Sequence, residues 1–74
     1  MSDSVYKIIE LVGTSTTSWE DAAKNAVATA GKTLLDLRIA EVVKLDMKIE
    51  NGNVMAYRAR ISLSIKYDTD VKKW

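Results

Sequence analysis

The sequence predicts an α+β domain in which one helix covers a three-stranded antiparallel sheet, with the element order β-α-β-β and the strand order 1-3-2. Three observations predict this fold. The chain begins with a run rich in β-branched residues, and a stretch with apolar residues at spacings of three and four follows. Two long stretches of alternating apolar and polar residues then flank an Asn-Gly pair, the strongest short hairpin signal. We expect a single domain over residues 1–74, because a chain this short forms one domain at most.

The composition excludes several classes of protein. With no Cys and no His, the chain has no disulfide, no thiolate zinc site and no histidine general base. A domain of this size usually needs a disulfide, a metal or partners, so we expect it to associate with copies of itself. The net charge of +1, without a basic block, argues against nucleic-acid binding. We expect a cytoplasmic protein without a membrane partner, because no apolar run approaches the ~18 residues of a membrane span and the first residues lack a signal-peptide pattern.

The first strand is predicted over Val5–Val12, where apolar residues occupy both faces. We expect the helix to cover one face and a neighbouring subunit the other. The hydroxyl-rich segment Gly13–Ser18 is predicted to be a turn, with Ser18 as the helix N-cap and Asp21 completing a variant of the capping box. The alternative for this segment is an anion site built from its backbone N–H groups, although it lacks the glycines of a phosphate loop.

The helix is predicted from Trp19 to about Leu34, because apolar residues recur there at helical spacing. Most of its apolar stripe is alanine, which allows a helix to lie close to a sheet. Trp19, at the start of the helix, is expected to pack on the sheet or on a neighbouring subunit. Gly31 weakens the last turns by about 1 kcal/mol relative to alanine.

The second and third strands are predicted over Arg38–Glu50 and Val54–Tyr67, joined at Asn51-Gly52. A strict two-residue turn would set apolar faces against polar ones, which burial forbids. We therefore expect either a three-residue loop, Asn51–Asn53, or a bulge nearby. The resulting register predicts these facing pairs: Ile49 with Met55, Met47 with Tyr57, Val43 with Ile61, and Asp46 with Arg58. If strand three lies between the other two strands, all neighbours run antiparallel.

Six segments, fairly specific as a set although none is specific alone, are typical of one known family. They are Val5-Tyr6-Lys7, Leu11-Val12-Gly13-Thr14-Ser15, Ser18-Trp19-Glu20 with Ala22-Ala23, Lys32-Thr33-Leu34, Glu41-Val42, and Tyr57 with the alternating run after it. The chain resembles the dodecin family on these segments, over nearly its whole length. The resemblance implies a β-α-β-β fold, a hollow shell of twelve identical subunits, and storage or sequestration of flavins without turnover.

The sequence departs from the flavin-binding members of this family at two positions. In those members a Trp near the start of strand two stacks on the flavin ring, and a Gln just after the strand-three Tyr hydrogen-bonds the ring edge. Here the two positions hold Ile39, which has no π-face, and Arg58, which is only a donor. The resemblance therefore implies a weakened site for FMN or riboflavin. It is nearest to the branch that lacks the stacking Trp, such as calcium dodecin, and that branch makes calcium the other candidate ligand.

The candidate cofactor-binding residues are Ile39, Arg58, Asp46 and Lys66. Asp46 is the expected cross-strand partner of Arg58. Arg58 and Lys66 lie on the even-numbered face of strand three, and with Lys44 and Arg60 they form either a basic patch for a phosphate-bearing cofactor or an ordinary polar face. The alternative for the other two residues is that Ile39 is plain packing and Arg58 only pairs with Asp46.

Four carboxylates have oxygens suited to calcium: Asp36, Glu41, Asp46 and Asp68. Their spacing does not resemble an EF-hand, so either carboxylates of several subunits converge at a symmetry axis or each is a solvated surface charge. No nucleophile and base are paired at a recognisable spacing, so we expect no enzyme. The sequence predicts a non-catalytic, dodecameric binding and storage protein, related to flavin binders but with a weakened flavin site. The alternative is a flavin-free cage that binds a metal ion such as calcium or is mainly structural.

Overall fold

A computed structural model describes residues 5–34 and 36–67 of the chain. Its elements are β1 (Val5–Ser15), α1 (Trp19–Gly31), β2 (Leu37–Glu50) and β3 (Asn53–Tyr67). The strands form one antiparallel sheet in the order β1-β3-β2. The helix α1 packs on one face of this sheet, over β1 and β3 more than over β2. These observations confirm the predicted fold class, element order and strand order.

The core lies between α1 and the central strand β3. Its buried apolar residues are Ala22, Ala26, Ala30, Ala59, Ile61, Leu63 and Ile65. Because the helix contributes only alanines to this set, its backbone can lie close to the sheet. Ile61 and Leu63 are the largest fully buried side chains among the described residues, and burying such a side chain stabilises the fold by about 1.5–3 kcal/mol. The core of one copy is therefore small.

Gly13 lies inside β1, which continues to Ser15 and so extends three residues beyond its predicted end. The prediction of a turn starting at Gly13 was wrong, because this glycine serves helix packing. A Cβ atom built on Gly13 would lie 2.1 Å from the carbonyl oxygen of Ala22 and 2.9 Å from the Cβ of Ala26. Only a residue without a Cβ allows α1 to approach β1 this closely.

The start of α1 is capped by Ser18, as predicted. The Ser18 hydroxyl accepts a hydrogen bond from the backbone N–H of Asp21 at 3.0 Å. The second half of the capping box was predicted wrongly, because the Asp21 carboxylate accepts from the Ser15 hydroxyl at 2.8 Å instead of from the Ser18 N–H. The Ser15 hydroxyl also accepts from the N–H groups of Thr17 and Ser18. These donors are thus used within the chain, which favours the capping interpretation of this loop over an anion site.

The helix ends at Gly31, three residues before the predicted end at Leu34. Gly31 has the lowest helix propensity of any residue except proline, and the chain leaves the helix directly after it. The backbone N–H of Lys32 then donates to Thr29 over the shorter spacing of three residues. Leu34 lies beyond the helix, half-buried against the core cluster.

The β2–β3 hairpin turns through Asn51 and Gly52, which have φ values of 52° and 78°. Positive φ at both central residues is typical of the type I′ turn, whose twist matches that of the strands. Glu50 pairs with Asn53 across it, so the prediction of a three-residue loop was wrong. The alternative, a nearby bulge, is confirmed: Met55 is an extra residue on β3, opposite the shift between Lys48 and Ile49.

A second bulge, at Val43, determines which side chains of β2 point away from α1. Val42 pairs with Ile61 and Lys44 pairs with Arg60, so Val43 is the extra residue. The predicted pair of Val43 with Ile61 was wrong because of this bulge, and the predicted pair of Ile49 with Met55 was wrong because of the bulge at Met55. The pairs Met47 with Tyr57 and Asp46 with Arg58 are confirmed. A third shift lies between Leu37 and Ile39.

Candidate binding surface

The face of the sheet opposite α1, here called the outer face, carries most of the candidate residues. Directly paired residues of antiparallel strands point to the same side, so the pairing registers define rows across the three strands. The rows of the outer face, each in the order β1, β3, β2, are Ile8-Ser64-Ile39, Glu10-Ser62-Glu41, Val12-Arg60-Lys44 and Thr14-Arg58-Asp46. The buried residues Ala59, Ile61 and Leu63 alternate with them along β3 and point toward α1.

Asp46 and Arg58 form a bidentate ion pair on this face. Nε of Arg58 lies 2.7 Å from Oδ1 of Asp46, and a terminal nitrogen of Arg58 lies 2.9 Å from Oδ2. The hydrogen bond from Arg58 lowers the pKa of the Asp46 carboxyl, and the positive charges of Arg58, Arg60 and Lys44 lower it further. The same carboxylate raises the pKa of Arg58. Two N–H groups of the Arg58 guanidinium, one on Nε and one on a terminal nitrogen, are therefore engaged within the chain.

The backbone beneath this pair is held by Trp19. Its indole N–H donates to the carbonyl oxygen of Asp46 at 3.0 Å. Its ring meets that of Tyr57 edge-on, with centroids 5.1 Å apart and an interplanar angle of 70°. The predicted packing role of Trp19 against the sheet is confirmed. Because Trp19 starts α1, it ties the helix to the part of β2 that carries Asp46.

Ile39 and Lys66 lie toward the other end of the outer face. Ile39 pairs with Ser64 and is 56% exposed. Lys66 pairs with Tyr6, is half-buried, and donates its backbone N–H to the carbonyl oxygen of Asp36 at 3.0 Å. The bulge at Val43 has a direct consequence here, because an unbroken register would have placed Ile39 on the helix side of the sheet.

The structure thus divides the four candidate residues into two groups. Asp46 and Arg58 are in contact, whereas Ile39 pairs with a residue six positions from Arg58 along β3. At about 3.3 Å per residue this separation is about 20 Å. One copy of the chain cannot place Ile39 and Arg58 against the same small ligand, so a site that uses both requires a second copy.

The calcium candidates are also dispersed. Asp36 lies before β2 with a φ of 60° and faces Arg38 at 3.5 Å, Asp46 is paired with Arg58, and Glu41 lies in another row of the outer face. Asp68 lies outside the described residues. Within residues 5–34 and 36–67 no three carboxylates lie close enough together to hold a metal ion. The described part of one copy therefore does not fit a calcium site by itself.

Sequence reasoning did not identify a second candidate surface, which is the apolar side of β2 next to the helix. Val42, Leu45 and Met47 point to the side of the sheet that carries α1, but the helix leaves them exposed. A groove of about 330 Å³ runs between Val42, Leu45 and the first turns of α1, bordered by Trp19 and Ala23. The alternating pattern placed Leu45 and Met47 on the apolar face of strand two, but it could not indicate that the helix lies over β1 and β3 instead.

Comparison with known proteins identifies the family to which this architecture belongs. The sequence model of the family described as Dodecin matches residues 5–68. The chain belongs to the dodecin family. Calcium dodecin of Mycobacterium tuberculosis is 43% identical over 63 residues, which cover 85% of this chain and 89% of that protein.

Solved dodecin structures match the whole described fold. Dodecin from Streptomyces coelicolor has a TM-score of 0.84 at 34% identity, covering 92% of this chain and 97% of that one. The crystal structure of Mycobacterium tuberculosis calcium dodecin, a calcium-chelating antigen with a calcium-binding site, has a TM-score of 0.77 at 39% identity, with coverages of 90% and 96%. Proteins of the dodecin family are non-enzymatic binding proteins, and so is this chain. Across the described residues, no helix is long and apolar enough to span a bilayer.

Proposed function

We propose that the chain is the protomer of a cytoplasmic homo-dodecamer, a non-catalytic binding and storage protein whose ligand sites lie between copies. The observation that carries this proposal is the exposure of large apolar side chains on both faces of the sheet and at the hairpin. Those more than 40% exposed are Val5, Tyr6, Ile8, Val12, Ile39, Val42, Val43, Leu45, Met47, Ile49, Val54 and Met55. Val42, Leu45 and Met47 lie together on one side of β2, and contiguous apolar patches on the surface of a protein commonly mark interaction sites.

The energetics of one copy support assembly. A chain of 74 residues has a stability of only about 4–11 kcal/mol at typical values per residue, and its helix contributes no large side chain to the buried core. Large apolar side chains on β2 and at the hairpin tip are exposed, among them Val42, Leu45 and Ile49. Burying that surface against other copies stabilises the fold at about 25 cal/mol per Å² of apolar area.

Flavin binds weakly in this proposal, because the residues present do not reproduce the contacts of a flavin site. Ile39 offers an exposed apolar surface but no ring for stacking. Arg58 is held by Asp46 and has no acceptor, so it cannot replace an amide at the ring edge. Ile39 still offers apolar contact to a flavin ring, and the positive charge of Lys66 suits a flavin phosphate.

Calcium is the second candidate ligand, and the similarity to a calcium dodecin favours it. Since the described carboxylates of one copy are dispersed, calcium would be held by oxygens from several copies. Carboxylates such as Glu41, which lies outside the ion pairs of the described residues, are available for such a site.

Native mass spectrometry of the purified protein tests the assembly and the ligand together. We expect a species of twelve subunits. Additions of flavin mass would favour the storage proposal, and additions of calcium mass that disappear with a chelator would favour the second candidate. A monomer at every concentration would refute the proposal, because the apolar surface would then have no partner.

Substitution of Ile39 and Arg58, the two positions at which the chain differs from flavin-binding dodecins, tests the site. The double variant Ile39→Trp with Arg58→Gln is expected to raise flavin affinity at least about tenfold, measured by quenching of flavin fluorescence, because it restores the stack and the amide contact. The matched control is Ile8→Trp with Arg60→Gln, which places the same two side chains elsewhere on the outer face. Equal affinities for both double variants would contradict a site at Ile39 and Arg58.

A further inference from the structure

The hairpin turn presents two reactive groups side by side, the side-chain amide of Asn51 and the backbone nitrogen of Gly52. Both residues are exposed. Among the described residues, no side-chain hydrogen bond involves Asn51, and no turn or loop hydrogen bond uses the N–H of Gly52. Apart from the chain neighbours of Gly52, no heavy atom of these residues lies within 4 Å of a Cβ built there. The amide and the nitrogen are therefore unobstructed.

These two groups can react with each other. The nitrogen of Gly52, after losing its proton, attacks Cγ of Asn51 and closes a five-membered succinimide ring, while the bond from Cγ to Nδ2 breaks and ammonia leaves with a proton from water. A second water then opens the ring. Opening at Cγ gives Asp at position 51, and opening at the main-chain carbonyl carbon gives isoaspartate. The net reaction consumes one water and releases one ammonia, so it needs no oxidant, reductant or cofactor.

The backbone conformation of the turn controls ring closure. The ring closes only where the Gly52 nitrogen is nearly eclipsed with Cβ of Asn51, at a ψ of about −120° for Asn51, whereas a type I′ turn holds this ψ at about +30°. The other turn typical of two-residue hairpins, type II′, has φ of about +60° and ψ of about −120° at its first central residue. The observed φ of Asn51, 52°, fits both turn types. The two turns therefore differ by a rotation of the single peptide between Asn51 and Gly52.

This rotation is compatible with an intact hairpin. It changes only the ψ of Asn51 and the φ of Gly52, and glycine adopts either sign of φ readily. Glu50 therefore keeps its partner Asn53. The flipped conformation is sparsely populated for a residue with a Cβ, so it is a minor state that is visited and left again.

The two other asparagines of the chain lack this combination. Asn25 lies in α1, where ψ is about −42°, and its side-chain amide donates to the carbonyl oxygen of Thr14 at 2.9 Å. Asn53 lies in β3, where ψ is about +135°, and the β-branched Val54 that follows crowds its nitrogen. The chain thus contains its own reference sites for a reaction at Asn51.

We propose that Asn51 is a site of spontaneous modification, converted to Asp and isoaspartate while the domain stays folded, through rotation of the peptide between Asn51 and Gly52. The two products have different consequences. Asp-Gly is itself favoured in a type I′ turn, so Asp preserves the hairpin. Isoaspartate adds one backbone carbon to a two-residue turn, so Glu50 and Asn53 lose their pairing. Either product adds one negative charge, which lowers the net charge from +1 to +1 − 1 = 0.

Peptide mapping by mass spectrometry tests the site on the full chain, incubated in mildly alkaline buffer over several days. We expect a mass increase of about 1 Da in the peptide that contains Asn51, with two products that chromatography separates. Fragmentation of that peptide distinguishes Asn51 from Asn53. The rate is expected to rise with pH, because the attacking nitrogen must lose its proton. The control Asn51→Gly keeps a pair favoured in this turn but has no amide, so its peptide is expected to stay unchanged.

A core variant tests whether the reaction occurs in the folded domain. Ile61→Val, at a buried residue, destabilises the fold mildly, and it would accelerate the reaction about two- to tenfold if unfolding had to come first. We expect the same rate in this variant as in the original protein. The original protein in concentrated urea gives the rate of the unfolded chain. Circular dichroism verifies that the variants are folded.

A third measurement concerns the products. Asn51→Asp stands in for the first product and is expected to keep the Tm of the original protein, whereas the purified isoaspartate form is expected to unfold at a lower temperature. No mass increase at Asn51 while the chain in urea reacts, or equal increases at Asn25 and Asn53, would overturn the site. A rate that rises in Ile61→Val would overturn reaction in the folded domain. An isoaspartate form with unchanged Tm would overturn the expected loss of pairing at the turn.

Discussion

Replacement of Gly13 with alanine is expected to be the most damaging methyl addition in the chain. The new Cβ would lie 2.1 Å from the carbonyl oxygen of Ala22 and 2.9 Å from the Cβ of Ala26. The first neighbour is backbone, so no side-chain rotation relieves the contact, and α1 has to move away from β1. Overpacking of a core costs about 1–3 kcal/mol, and we expect the upper end of this range, about 3 kcal/mol.

This loss is a large part of the stability of the chain. For a domain of 60–100 residues, 1 kcal/mol corresponds to about 4–8 °C in Tm, so Gly13→Ala is expected to lower Tm by about 12–24 °C. The assay is thermal and urea unfolding followed by circular dichroism. All variants are compared at one protomer concentration, because assembly makes stability depend on concentration.

Gly31→Ala is the matched control, since it is the same substitution with the opposite expectation. No atom lies within 4 Å of a Cβ at Gly31, which ends α1. Alanine there is expected to be neutral or stabilising by up to about 1 kcal/mol, through its higher helix propensity. If Gly13→Ala unfolds at the same temperature as Gly31→Ala, the close approach of α1 to β1 at Gly13 is refuted.

Two further predictions concern the ion pair and the core. Asp46 has a pKa below its usual 3.8 in the folded chain, so its pair with Arg58 contributes stability that is present above the unfolded pKa and is lost as the pH falls through the folded pKa. Asp46→Asn is therefore expected to unfold at lower urea than the original protein at pH 6, and the difference is expected to shrink as the pH is lowered below 3.8; a difference that does not change with pH would contradict this. Leu63→Ala removes a fully buried side chain and is expected to cost about 2–5 kcal/mol, whereas Leu45→Ala, at a 47% exposed residue on β2, is expected to alter assembly more than the urea midpoint. Equal urea midpoints for these two variants would contradict the assignment of the core.

The elements of this fold could be predicted from the sequence because the signals for them are local. The spacing of apolar residues located α1, and alternation located β2 and β3. Both ends of β2 and β3, and the first residues of β1 and α1, were predicted to within one residue. The ends of β1 and α1 were each wrong by three residues. The cross-strand pair of Asp46 and Arg58 followed from the alternation together with the hairpin signal at Asn51-Gly52, and it is confirmed. Most of the topology could therefore be predicted from the local periodicity of apolar residues.

What could not be predicted depends on contacts between distant segments. Val43 is an ordinary β-branched residue, and nothing local indicates that it bulges so that Val42 and Leu45 both point to the helix side. Gly13 was taken as a turn residue, because its close contact with Ala22 exists only once the helix has packed. The candidate site shares this limit, since the separation of Ile39 from Arg58 follows from the register along β3.

The central position of β3 has a consequence for the order in which the protein forms during synthesis. β1 and β2 make no contact with each other among the described residues, and each pairs only with β3, the last of the four elements to be translated. No part of the sheet can close while the ribosome is still making the first half of the chain. Until β3 emerges, α1 has only β1 and a small part of β2 to pack against, and β2 has no strand to pair with. Folding is therefore a late event in translation. Until then, nascent chains on neighbouring ribosomes expose the same unpaired apolar strands to one another.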